Sequence, residues 1–330
     1  MATYKEIFGT NIEVVSSDPS NPVEGQIWYN TTSNTVKGFL ISSGSWATGG
    51  AMNTGRTDFG SGGTQTAALG FGGREGAPAY AYSVLTESYN GSSWTVVNVL
   101  NTGRTELGGA GTNTSALAFG GETASPAMVS ATESWNGTNW ATVNPLNTVR
   151  RGLAGSGASN TSALAFGGGL DTDPITSTGA TESWNGTNWS TVNPLNTVRE
   201  GLAGCGTKTA ALAFGSTQPV TYHYAELWNG TNWATVNDTN SDMGLRGAAG
   251  TSTNALAFGG QPLAPGSLTE LWNGTNWTNV TSLTTARYGN GGAGASNSSA
   301  LAFGGNIGGP PTTATEEWNT GPMTVSFAVS

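Results

Sequence analysis

Apolar side chains along most of this chain come in short runs that alternate with small or polar residues. In "SALAF" (162–166), Leu164 and Phe166 share one face and the alanines the other. This period of two predicts a short strand. Just before it, "GLAGSGAS" (152–159) is small and glycine-rich, a strand fit for a crowded centre. After a variable segment comes "ATESW", then "NGT", an Asn-Gly signal for a tight hairpin turn. "NWATV" follows as a fourth strand. The pattern predicts four antiparallel strands per unit and an all-β chain.

The unit recurs. Its Phe-Gly phrase falls at Phe71, Phe119, Phe166, Phe214, Phe258 and Phe303, at intervals of 48, 47, 48, 44 and 45 residues. The aromatic of the third strand is Tyr89, Trp135, Trp184, Trp228, Trp272 or Trp318, and a second Trp follows five residues later in the first five copies. An Arg closes each unit: Arg56, Arg104, Arg150, Arg199, Arg246 and Arg287. A repeat near 45 residues with four short strands describes a propeller blade.

The chain resembles the kelch-repeat β-propellers from about Trp46 to Ser330. The resemblance rests on the Gly-Gly pair after the second strand (Gly120-Gly121, for example), the aromatic of the third strand, the Trp of the fourth and the closing Arg. Unit four departs, with Gly215-Ser216 in place of the pair. Six blades are favoured, because the sixth unit has Met323 where its second Trp belongs and Trp46 stands ten residues before Arg56. Trp46 would then supply the last blade's outer strand. The rival is a partial seventh blade from "QIWYN", "VKGFLI" and "SWAT", leaving "MTVSFAV" to the sixth.

Residues 1–45 differ in kind and form a separate segment ahead of the repeats at 46–330. "SSDPSNPVEGQIWYNTTSNTVKGFL" predicts a hairpin and resembles segments of bacteriophage tail-fibre and other virion proteins. That resemblance implies attachment to other virion proteins and assembly in the host cytoplasm. It agrees with the missing signal-peptide pattern at the N-terminus; no run approaches a membrane span either.

Charged residues make up 9% of the chain, its net charge is −9 and it has three lysines. No basic stripe exists to neutralise a phosphate backbone, so nucleic acid is excluded as a partner. Cys205 is the lone cysteine, ruling out an internal disulfide, and His223 the lone histidine. No multi-histidine metal site follows, and the paired His and Tyr ligands of the copper-oxidase kelch relatives are missing. The expectation is a non-enzymatic protein without cofactor.

A residue written once per unit more often holds the fold than a ligand. Glu133, Trp135, Trp140 and Arg150, with their counterparts, are therefore read as structural, the Glu two residues before the aromatic on the same strand face and paired with an Arg. The Asn-X-Ser/Thr motifs at Asn136, Asn185, Asn229 and Asn273 are read as turn chemistry. The links between second and third strands vary most, and loops on a rigid scaffold carry recognition. Tyr80, Tyr82, Tyr222, His223 and Tyr224 lie in two of them and make a candidate glycan-binding rim. Asp171 and Asp173 in a third are weak candidates for a metal. The expected function is that of a phage tail or fibre appendage touching host-surface polysaccharide. The alternatives are a capsid or tail decoration subunit, and a cellular kelch-type module or lectin. A homo-oligomer fits any of them.

Overall fold

The computed structural model describes residues 12–20, 25–41, 44–76, 81–124, 127–171, 176–217, 223–261 and 264–327. It is all-β, with no helix among the described residues. The chain divides into two units, Ser45–Trp318 and Met1–Gly44 with Asn319–Ser330.

The larger unit is propeller-like, with six four-stranded sheets in series and three small two-stranded ones among the described residues. In the second sheet, Gly108–Thr112, Ser115–Phe119, Thr132–Trp135 and Trp140–Val143 pair as antiparallel neighbours in chain order. The Asn-Gly turn works as its sequence predicts: Asn136 Oδ1 accepts from the backbone N–H of Thr138 and Asn139, and Gly137 takes φ 92°. The same bonds recur at Asn185, Asn229 and Asn273. The sixth sheet joins Gly291–Ser296, Ser299–Phe303 and Thr315–Asn319 to Ser45–Thr48, which brings Trp46 to its outer edge.

Contacts between sheets follow one rule. The Phe of each second strand meets the outer-strand Trp of the next sheet: Phe71–Trp140, Phe119–Trp189, Phe166–Trp233, Phe214–Trp277 and Phe258–Trp46, with ring centroids 5.0–5.1 Å apart, then Phe303–Trp94 at 4.6 Å. The inner strand Gly60–Thr64 packs against both Gly108–Thr112 and Gly291–Ser296. Glycine is required there, because a Cβ on Gly155 would meet Gly109 O at 2.4 Å and the Phe119 ring at 2.6 Å. The core is thus a set of aromatic clusters between sheets, not one central apolar mass.

The smaller unit is one sheet. Ile27–Asn30 pairs parallel with Glu13–Val15 and antiparallel with Thr35–Ile41. Asp18 ties it together, accepting from Trp28 Nε1 at 3.0 Å, Asn30 Nδ2 at 2.7 Å and Lys37 Nζ at 2.8 Å. The strand Pro322–Phe327, which the repeat count assigns to 46–330, pairs with Thr35–Ile41. The outer edge of the sixth sheet is already filled by Ser45–Thr48. The strands of "QIWYN" and "VKGFLI" therefore belong to the smaller unit, and that of "SWAT" to the larger.

Candidate functional site

The repeated charges are consumed inside the scaffold. Arg150 is fully buried; its Nη2 lies 3.0 Å from Glu182 Oε1, and its Nη1 donates to the carbonyls of Gly167 and Ala180. Glu182 also accepts from the backbone N–H of Asn147 at 2.7 Å and Thr148 at 3.2 Å. Glu133 pairs with Arg104 at 3.0 Å in the same way. Trp135 Nε1 donates to Asn113 O and Trp140 Nε1 to Thr86 Oγ1. Glu133, Glu182 and the indoles are bonded within the scaffold, while the Nε of Arg104 and of Arg150 is buried without a partner.

Arg246 is out of register. Leu245 occupies the position held by Asp58, Glu106, Gly152, Gly201 and Gly289 in the other copies. All six residues take a left-handed φ between 52° and 67°. Arg246 therefore starts three residues later than its counterparts, at the place of Leu107 and Leu153, yet its Nη1 still reaches Glu270 at 3.2 Å. The buried carboxylate selects the guanidinium through space rather than by sequence interval.

These left-handed positions mark one mouth of the sheet series. Glu106 N–H donates to Asp58 O, Gly152 to Glu106, Gly201 to Gly152, Leu245 to Gly201, Gly289 to Leu245 and Asp58 to Gly289, at 2.8–2.9 Å. The six bonds form a complete cycle. Above it lies a cavity of about 620 Å³, lined among others by Asp58, Glu106, Arg151, Glu200, Thr217 and Val198. Thr176, Ser177 and Thr217, from the variable links of the third and fourth sheets, wall the same space.

The charges at this mouth are unbalanced. Arg151 bridges Glu122, Glu106 (3.5 Å) and Glu200 (3.6 Å). Burial opposes its charge, but these carboxylates outweigh burial and hold Arg151 above its usual pKa. Asp58 accepts no bond through Oδ1, which is sealed from solvent. Burial first, then Glu106, pushes the Asp58 carboxyl up to about 7, with Arg74 pulling only partly the other way. Burial also raises Glu106 and Glu200. The arrangement is an anionic, polar pocket. Among the described residues no group of three or more His, Cys, Asp or Glu is disposed to hold a metal ion.

The residues chosen from sequence scatter. Tyr80, Tyr222 and Asp173 lie outside the described residues. The Tyr82 hydroxyl donates to Glu122 at 3.0 Å, and the Arg74 guanidinium lies 5.5 Å from its ring centre. His223 is held between Asp238 (3.3 Å) and Asp242. Its ring meets that of Tyr224 edge-on at 5.4 Å. Tyr224 offers its backbone carbonyl to Arg199. Asp171 is exposed. Tyr82 is thus linked through Glu122 to the cavity-lining Arg151, while His223 and Tyr224 form a cluster of their own.

Sequence reasoning passed over Asp58, Glu106, Arg151 and Glu200. The signal was present: the two residues after the closing Arg read Thr-Asp, Thr-Glu, Arg-Gly and Glu-Gly in the first four copies. Here the repeat stops repeating, next to its most constant residue. No protein-family model matches the chain, and no curated protein matches it.

Proposed function

We propose that the larger unit is a six-bladed, kelch-like propeller serving as a non-enzymatic binding component of a bacteriophage particle, a tail or fibre appendage that contacts host-surface polysaccharide. The six-blade reading is supported by the hydrogen-bond cycle through Asp58 and Gly289 and by Ser45–Thr48 at the edge of the sixth sheet. Because that strand precedes the first repeat, it would clasp the first blade to the last. The virion reading is supported by the resemblance of the segment around "GQIWYN" to phage proteins. On this reading, the smaller unit joins the propeller to other virion proteins.

One observation carries the binding role. Each repeated Arg–Glu pair is buried within the scaffold, whereas the charges that differ between copies meet the variable links around one cavity. A rigid frame with a variable polar rim suits recognition. The test is gold labelling of intact particles with an antibody to this protein, read by electron microscopy. Label on the tail or fibres is the expected result. Label spread over the capsid would replace the appendage with a decoration subunit, and unlabelled particles would overturn the virion assignment in favour of a cellular module.

A further inference from the structure

We propose that His223 is a proton-operated clasp. As the imidazolium it ties the link ahead of the fourth sheet's third strand, Ala225–Trp228, to the connection that leads into the fifth sheet. When it loses its proton it releases one of its two carboxylates. The clasp belongs to the frame and does not depend on what the mouth cavity binds.

Changes in the repeat converge at this one place. The second and third copies write the connection as Asn-Pro-Leu-Asn-Thr-Val, residues 144–149 and 193–198, whereas the fourth writes Asn-Asp-Thr-Asn-Ser-Asp, residues 237–242. Asp238, Thr239 and Asp242 thus stand where the third copy has Pro194, Leu195 and Val198, and each of the three contacts His223. His223, the chain's one histidine, itself replaces Gly179 of the third copy and Ser130 of the second. The backbone bond between the two segments is unchanged. Thr239 N–H donates to His223 O at 2.9 Å, as Leu195 does to Gly179 O and Leu146 to Ser130 O. What differs is the side-chain layer over that bond. Leu195 is buried in an apolar cluster with Phe166, Leu202 and Trp233, and the fourth copy puts an ionic contact in its place.

The geometry of the ring favours its charged form. Nε2 faces Asp238 Oδ2 at 3.3 Å, and Nδ1 lies against Asp242 Oδ1. A neutral imidazole has a single N–H, so its other nitrogen would turn a lone pair toward a carboxylate; only the imidazolium donates on both sides. Among the described residues, the other titratable or charged groups around the ring are Tyr224, edge-on at 5.4 Å, and the Arg199–Glu226 pair. Arg199 acts on Asp238 and donates to the Tyr224 carbonyl, but Glu226 balances it. Two carboxylates are left against one imidazole. The ring is 44% exposed, so its proton exchanges with solvent and each contact is modest. The clasp's contribution is present while the imidazole is protonated and is lost as pH rises through its titration. Asp242 stands three residues before Leu245, a member of the hydrogen-bond cycle, so the connection that loosens is one that builds the mouth.

The experiment follows amide hydrogen exchange by NMR on the full chain from about pH 5 to about pH 8, the span in which histidines change charge. The readout is the protection of Thr239 N–H divided by that of Leu195 N–H, each corrected for the intrinsic pH dependence of exchange. These amides make equivalent bonds, so the ratio cancels pH effects on the whole fold, those of Asp58 included. The imidazole titration is read in the same samples from the single histidine. The ratio should fall about threefold in step with that titration, the worth of an exposed ion pair. It should stay level in His223→Gln and in the double variant Asp238→Asn with Asp242→Asn, whose folding a thermal melt checks. A level ratio in the parent would overturn the clasp. A fall that the double variant retains would overturn the pairing with the carboxylates, and a fall out of step with the imidazole would overturn the assignment to His223.

Discussion

Ala225 sits where the other five sheets have threonine, and the exchange leaves a visible defect. The outer-strand indoles of Trp46, Trp94, Trp140, Trp189 and Trp233 donate to Thr269, Thr315, Thr86, Thr132 and Thr181 at 2.9–3.1 Å. Trp277 is 6% exposed and its Nε1 is without a partner. Its counterpart position is Ala225, fully buried beside it in the cluster of Phe214, Ala255 and Trp272. Ala225→Thr should therefore stabilise the protein. A net hydrogen bond contributes about 1 kcal/mol, and five other copies already accommodate the extra methyl in the same setting. The gain corresponds to roughly 2–4 °C in Tm for a domain of this class. The mirror variant, Thr132→Ala, orphans Trp189 Nε1 and should cost about 1–3 kcal/mol. Urea unfolding followed by tryptophan fluorescence reads both as midpoint shifts with an unchanged m value. If Ala225→Thr lowers the midpoint, or Thr132→Ala leaves it in place, the indole N–H groups do not carry the energy assigned to them.

Four further outcomes are expected. Glu182→Gln removes the anion that faces buried Arg150 and two backbone N–H groups, and should cost about 3–5 kcal/mol in urea unfolding; a loss below about 1 kcal/mol would contradict the pairing. Gly155→Ala drives a Cβ into the Gly109 carbonyl, whereas Gly204→Ala meets the rim of Phe166 at 2.4 Å. Both should overpack by about 1–3 kcal/mol, the first more than the second, as thermal melts would rank them. Cys205 is buried and its thiol is pushed up to about 12; a thiol reagent should label it only once the protein unfolds. Asp58 has a folded pKa of about 7, above its unfolded value near 4. The folded state then holds the extra proton, so this group's contribution to stability falls as pH rises from about 4 to about 7 and stays low beyond. Asp58→Asn should flatten that slope and raise the unfolding free energy at neutral pH by on the order of 1–2 kcal/mol after discounting for partial exposure, seen as a higher Tm. A melt series across this range that matches the parent would remove the burial argument.

The site was only half legible in the sequence. Variation in the links pointed to one rim, and Tyr82 there bonds Glu122, which in turn pairs with the cavity-lining Arg151. Asp58, Glu106, Arg151 and Glu200 were hidden because each follows a constant Arg and reads as part of the repeat. They become a pocket only because residues about 48 positions apart bond to one another through their backbones. Arg246 makes the same point in reverse. Its interval in the sequence matches loosely, and only the structure shows that Leu245 has taken the left-handed position while the guanidinium still finds Glu270.

What the chain determined by itself is local. The two-residue alternation in "SALAF", the Asn-Gly turns and the spacing of the tryptophans set strands, hairpins and the four-strand unit, because pleat and turn geometry depend on neighbours within a few residues. Tertiary structure decided how the ends are used. Ser45–Thr48 completes the sixth sheet, and Pro322–Phe327 pairs with Thr35–Ile41 rather than with the repeats. Both are pairings between segments hundreds of residues apart, set by which sheet edges are left open once the local units have formed. The charged mouth belongs to the same category: no short stretch encodes it, and packing of the glycine-rich inner strands assembles it.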